Sequence, residues 1–314
     1  MEPIISFEPI GLLISVTIVL VVAVIIGIIF LRVLKSKKAR IVGLVLLIFG
    51  ISFGVFLSQN LKPNPIDTSA IHFLPTQSQI YSSLGEEETI QLFCFGYKQN
   101  PLLKEGINVI PVQTDNENIN VVESTIDAGS TYRGLTVFSI FLDIDTGQPG
   151  NQSFSQIILT DGNGNTKTFD IGDIAIAVQE PNNGKAIDIR SHLGSANRGA
   201  QYSFSFKNGA SKPCTITGID FGSLTPFVQS VKVTVNDKEI ETKNPMVAQP
   251  GDLVDLEAKL KNSTQVDIYL VSAKLRYRIQ GDPEEYSYFV PYGTIGLPDS
   301  DESFQELAER YLQD

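Results

Sequence analysis

Two short clusters of oxygen-bearing side chains are the residues of this chain best suited to chemistry. Asp143-Ile144-Asp145 sets two carboxylates on one face of a strand end, and Asp161-Gly162-Asn163-Gly164-Asn165 spaces three oxygen side chains two residues apart. Oxygens in this density suit calcium, which takes about six to eight of them and binds weakly to extracellular modules. An EF-hand loop opening at Asp161 would need Gly at its sixth position and Glu at its twelfth, where the chain has Thr166 and Gly172. The spacing therefore reads first as turn chemistry, with Asp143, Asp145, Asp161, Asn163 and Asn165 as weak candidate calcium ligands. No cofactor is expected.

Catalytic frameworks are missing from the sequence. It contains no H-E-x-x-H, C-x-x-C, G-x-S-x-G or P-loop pattern, and its histidines are His72 and His192 alone. Ser191 and His192 are adjacent, whereas a nucleophile and its base meet in space rather than in sequence. Glu86-Glu87-Glu88 reads as a solvated turn. Cys94 and Cys214 are too few for a disulfide framework and read as buried thiols, an interdomain bridge being the alternative. Asn151 and Asn262 each begin an N-x-[ST] sequon. The expectation is that this is not an enzyme.

The elements that must hold these groups begin with two apolar runs, 10–31 and 41–57, separated by Arg32, Lys35, Lys37, Lys38 and Arg40. A helix needs roughly 20 apolar residues to cross a bilayer. Residues 1–60 accordingly predict a transmembrane hairpin, with helices at about 10–34 and 39–58. Neither run carries a charge, and Glu2 and Glu8 are the wrong sign for a secretory leader. Loops rich in Lys and Arg stay cytoplasmic, so the reading is a multi-pass plasma-membrane protein with both ends outside. The scarcity of cysteine suits a Gram-positive bacterium or an archaeon. Ala23 and Gly27, then Gly50 and Gly54, form small-residue strips that let helices pack closely, on each other or on another membrane protein. Spans without ionisable residues exclude a channel or pump.

Beyond the hairpin the pattern is period-2 alternation broken by Gly, Pro, Asn and Asp, which predicts an all-β ectodomain. The segments are a spacer at 61–69, an acidic β-sandwich at 70–180, a linker at 181–200, a second sandwich at 201–297 and an acidic tail at 298–314. Each sandwich has the size and strand rhythm of an immunoglobulin-like domain, without the Trp of antibody domains. The clearest local signal is a hairpin, Gln156 to Thr160 and Thr166 to Ile171 joined by the Gly/Asn stretch 161–165, with a separate closing strand at Ile174 to Gln179; in the second sandwich the run from Tyr202 to Phe206 sets three aromatics at period 2 toward a core. In the tail, Ser303-Phe304-Gln305-Glu306 matches a capping box, and Phe304, Leu307, Tyr311 and Leu312 recur at helical spacing. That helix either docks on its own domain or binds a partner.

Charge narrows the partners. Residues 61–180 hold 5 basic and 15 acidic groups of a chain whose net charge is -11. Such a surface repels phosphate backbones, so nucleic acid is excluded. The expected partners are the lipid bilayer and other membrane or surface proteins, with the oligomeric state open. The functional expectation is a non-catalytic accessory or assembly subunit of a surface complex. A surface adhesin is the first alternative, and a cell-envelope enzyme or its regulator using the acidic residues of the first domain is the second.

Overall fold

The computed structural model describes residues 69–107, 112–145, 147–180, 186–197, 199, 201–240, 246–261, 263, 265–298 and 300–312. They build an all-β fold of three sheets, with residues 68–314 forming one compact unit.

The first sheet has five strands, β1 (Ile71–Phe73), β3 (Glu87–Tyr97), β7 (Leu135–Asp145), β6 (Asn120–Tyr132) and β4 (Gly106–Ile107), in that order. The second also has five: β10 (Ile187–His192), β12 (Gln201–Asn208), β17 (Leu253–Leu260), β14 (Val228–Val235) and β15 (Lys238–Ile240). A nine-stranded sheet runs between them in the order β11 (Ser195–Asn197), β19 (Tyr286–Leu297), β18 (Ile268–Ile279), β2 (Thr76–Ser83), β9 (Thr166–Gln179), β8 (Gly150–Thr160) and β5 (Val112–Thr114). Its remaining strands are β13 (Cys214–Asp220), which pairs with β18, and β16 (Met246–Ala248), which pairs with β13.

Two hydrophobic cores lie against this common sheet. The first takes Leu92, Phe95, Phe138, Ile140, Ile157 and Ile176, and the second Tyr202, Phe204, Phe206, Leu256, Leu275 and Tyr277. Alternation drives both: in β12, Tyr202, Phe204 and Phe206 are buried while Ser203, Ser205 and Lys207 are not. Strand β18 serves both cores at once. Ile268 and Leu270 enter the first, and Tyr269, Val271 and Ala273 the second, so its opening six residues are all buried. A strand covered on both faces reads as a continuous apolar run rather than an alternating one.

Strand lengths differ from the local reading in instructive ways. Thr166 to Ile171 and Ile174 to Gln179 are one strand, because Gly172 does not end it. Gly172 sits at φ +100° opposite Thr76, where an added Cβ would lie 2.0 Å from the Thr76 carbonyl oxygen, so a bare backbone lets β2 approach. The C-terminal helix α1 (Asp301–Leu312) starts earlier than Ser303. Ser300 and Ser303 exchange hydrogen bonds, backbone N–H to hydroxyl at 3.1 and 3.2 Å, which makes Ser300 the cap.

One expectation is corrected. Among the described residues no helix is long and apolar enough to cross a membrane. With its 12 residues, α1 spans about 18 Å at 1.5 Å per residue, against about 30 Å of hydrocarbon. The described chain is mostly β-sheet, so a multi-pass plasma-membrane protein with both ends outside is not supported. The two apolar runs, with Ala23, Gly27, Gly50 and Gly54, lie outside the described residues.

Candidate functional site

Strand β18 changes neighbour halfway along, and the site forms where it does so. Ile268 to Val271 pair in parallel with β2, whereas Lys274 to Ile279 pair with β13. Beyond Gln79, β2 stays with β9 alone, and the two surfaces part into a fork. Side chains from both arms cross it. The Tyr81 ring stacks on Phe289 with centroids 5.9 Å apart, and Lys274 Nζ donates to Gln179 Oε1 at 2.5 Å. Burial, with the Asp220 carboxylate next in effect, pushes the Tyr81 hydroxyl well above its ordinary pKa.

The joint is held by hydrogen bonds. A 3-10 turn, Gly222–Phe227, whose Leu224 belongs to the second core, leans on β2: Ser223 N–H donates to Gln79 Oε1 at 2.9 Å, and Ser223 Oγ to the Ser78 carbonyl at 2.8 Å. Gly222 needs its lack of side chain here, since a Cβ would stand 2.3 Å from Gln79 Oε1. The backbone N–H of Asp267 donates to Pro75 O at 2.9 Å.

Two clefts meet at Tyr81. One, of 490 Å3, is lined by Gln79, Asn151, Gln152, Asp173, Asp220 and Ser223 among others. Gln152 Oε1 is shielded from solvent and has no hydrogen-bond partner among the described residues, while its amide nitrogen donates to Gln148 O at 2.9 Å. The other, of 610 Å3, runs between the β2–β3 turn and β19, with Glu86, Glu87, Glu88, Thr89, Phe289 and Tyr292 on its walls. Desolvation raises the pKa of Glu88, opposed by a hydrogen bond from Ser82 and reinforced by Glu86. The Tyr292 hydroxyl donates to Thr89 O and is pushed up to about 12, chiefly by burial. A third cleft, of 540 Å3, lies between β5 and β6 and includes the half-exposed Val122.

Of the oxygen clusters singled out in the sequence, Asp143 and Asp145 pair across β3 and β7 with Thr89 and Glu87, which line the glutamate cleft, while Asp161 lines neither cleft. Asp143 and Asp145 are on β7 in the first five-stranded sheet, and Asp143 Oδ1 accepts from Thr89 Oγ1 at 2.5 Å. Asp161 closes the β8–β9 hairpin in the nine-stranded sheet. Its Oδ1 accepts from the backbone N–H of Asn163 and Asn165 at 2.8 and 2.9 Å, and its Oδ2 from the Asn165 side-chain amide at 2.9 Å. Those donors hold its carboxyl below the usual range. The oxygens that would bind calcium already serve the turn. Among the described residues no group of three or more His, Cys, Asp or Glu is placed to hold a metal.

The apolar side of α1 faces its own chain. Phe304, Leu307 and Ala308 belong to the first core, the Phe95 ring lies 5.8 Å from Phe304 and 5.3 Å from Tyr311, and Leu312 is left exposed. Asp267 clasps the end of the helix, accepting from Arg310 Nη2 at 2.9 Å and from Tyr311 Oη at 2.7 Å. Cys94 and Cys214 are free and buried, one in each core. Burial raises both thiols, Cys214 to about 12 and Cys94 further, which removes the thiolate a nucleophile requires.

Sequence reasoning passed over the fork. Glu86-Glu87-Glu88, which reads from sequence as a solvated turn, is its one local trace, while Tyr81, Gln152, Asp173 and Phe289 carry no pattern that joins them.

No family model matches the chain, and no curated protein matches it. Solved structures that it resembles include a chimeric titin Z1Z2 carrying an exogenous decorin peptide, at 11% identity over 75% of this chain and 100% of that one, TM-score 0.20. CfaE, the adhesive subunit of the CFA/I fimbria of enterotoxigenic Escherichia coli, matches at 9% identity over 73% and 99%, TM-score 0.24. The tandem immunoglobulin repeats of Dlar match at 8% over 73% and 97%, TM-score 0.20. Neighbours of this kind are immunoglobulin-like and adhesin-like β proteins, and at these scores they carry no argument about function.

Proposed function

We propose that the chain is a non-catalytic binding module, an accessory subunit that engages its partner at the fork between the two sandwiches. The observation that carries this is the joint itself: β18 contributes to both cores, and its change of neighbour leaves two clefts meeting at Tyr81. A rigid scaffold that presents polar side chains from two bodies is suited to recognition. The buried, protonated thiols and the donor-filled Asp161 carboxylate support a role without chemistry.

Site-specific photo-crosslinking in the source cells tests the reading. A benzophenone side chain at Asn151 or Thr89, on the two rims of the fork, should give a covalent adduct of one discrete mass. The same group at Lys238, on the edge strand β15, should not. Equal labelling from all three positions, or no adduct from the rims, overturns the proposal.

A further inference from the structure

We infer that Asn163, at the tip of the β8–β9 hairpin, is a site of spontaneous covalent modification: its side-chain amide is lost to attack by the backbone nitrogen of Gly164, leaving aspartate or isoaspartate in the turn. An Asn-Gly peptide is the setting for this reaction, because a following residue without a Cβ leaves its backbone nitrogen open to the Asn side chain. Among the described residues the chain has two such peptides, Asn163-Gly164 and Asn208-Gly209, and one Asp-Gly, Asp161-Gly162. The fold treats the three differently.

Asn163 and Gly164 are both exposed, and a Cβ added at Gly164 would meet nothing within 4 Å. The Gly164 N–H donates to the Asp161 carbonyl at 3.0 Å within a turn open to water, which can take over that hydrogen bond when the nitrogen turns to the side chain. Asn208 is in the opposite situation, only 1% exposed. Its Nδ2 donates to Lys212 O at 3.1 Å and to Ala248 O at 2.9 Å, its Oδ1 accepts from Ala210 N–H at 3.0 Å, and the Gly209 N–H is held by Ala186 O at 2.8 Å. Folding its side chain onto Gly209 breaks these bonds where water replaces them poorly. An aspartate closes the same ring only as the neutral acid. The side-chain amide and backbone N–H of Asn165, with the backbone N–H of Asn163, hold the Asp161 carboxyl below the usual range and therefore ionised. The reaction thus falls on Asn163.

The step balances with water alone. Hydroxide removes the Gly164 amide proton, the nitrogen attacks Asn163 Cγ to close a five-membered succinimide, and the bond from Cγ to the amide nitrogen breaks to release ammonia. Water then opens the ring at either carbonyl. Opening at Cγ gives aspartate, and opening at the main-chain carbonyl routes the backbone through the side chain as isoaspartate. Either product sets a second carboxylate beside Asp161. Isoaspartate also adds a methylene to the backbone between the Asn163 and Asn165 N–H groups that bind Asp161 Oδ1 at 2.8 and 2.9 Å, so the turn loses its fit.

The test is peptide mapping by mass spectrometry of the full chain held in mildly alkaline buffer, with isoaspartate assayed by its specific enzymatic carboxyl methylation. The peptide carrying Asn163 should gain one dalton at least about tenfold faster than the peptide carrying Asn208, the factor that one buried hydrogen bond adds to a barrier. Methylatable isoaspartate should appear in step with it. In concentrated urea the two peptides should convert at similar rates, because the bonds that shield Asn208 are gone. Asn163→Gln, whose longer side chain cannot close the five-membered ring, should abolish the gain. Equal rates at Asn163 and Asn208 in the folded chain overturn the inference. So does an Asn163 that converts in urea but not in the folded chain, or a gain that persists in Asn163→Gln.

Discussion

At the scale of single residues, what matters is how much company a side chain already has. Asp161 has three donors within its own turn, and Asp115 is likewise held low by the backbone and hydroxyl of Ser155 and the backbone of Gln156, against its own desolvation. Stability from such carboxylates is present above their ordinary range and is lost as pH falls through it. Glu88 has the opposite sign. Its folded pKa is raised, so the fold favours its protonated form, and its effect turns unfavourable as pH rises above the ordinary value of 4.5. Glu88→Gln should therefore raise the melting temperature at pH 7 and leave it unchanged near pH 4, measured by thermal scans across that range. Gly172→Ala belongs to this scale as well. With φ at +100° and the Thr76 carbonyl in the way, it should cost about 2–4 kcal/mol by urea denaturation, the sum of backbone strain and forced displacement of β2. The Asp161 turn was legible because its hydrogen bonds span four residues. The state of Glu88 was not, because β19, which walls its cleft, lies two hundred residues further along.

Elements were legible in proportion to how local their reasons are. Strand β12 announces itself through three aromatics at period 2, and α1 through apolar residues at helical spacing. Strand β2 gives no such signal. Thr76, Ser78, Gln79, Ser82 and Ser83 are all buried, which composition would place in a loop. They are polar because the strand is a hydrogen-bonding seam: Thr76 Oγ1 donates to Leu74 O at 3.0 Å, Ser78 Oγ accepts from Ala175 N–H at 2.9 Å, and Gln79 receives the 3-10 turn. Buried polar side chains are retained where each has a partner. The helix yields a prediction at the same scale. Because Phe304 enters the first core, Phe304→Ala should cost about 3 kcal/mol, as for other large core truncations, whereas Leu312→Ala should stay within about 0.5 kcal/mol. Chemical denaturation of the two variants decides between a helix docked on its own chain and one held in reserve for a partner, for which the losses would be small and alike.

The described chain as a whole is governed by β18, the strand that both cores use. Tandem sandwiches joined by a flexible linker would unfold one after the other, since few contacts would cross the boundary. Here the first core cannot lose β18 without baring the second, because Ile268 and Leu270 alternate with Tyr269 and Val271 along one backbone. Segments 187–192 and 195–197 are themselves strands, β10 on β12 and β11 on β19, which ties the connection into the sheets. The run from Ile268 to Ala273 could be recognised as apolar from sequence, but its service to two cores could not, since that depends on two sheets meeting from opposite sides. The expected outcome is a single cooperative transition. Leu270→Ala, which removes a side chain from the first core, should lower the unfolding midpoint of tyrosines in the second, among them Tyr202 and Tyr277. Val271→Ala should in turn lower protection of first-core amides such as those of β7 by the same free energy. Native-state hydrogen exchange reads both. Two separate transitions, with each variant felt only in its own core, would show that the shared strand does not couple the cores, and the fork would then be a hinge rather than a rigid seat.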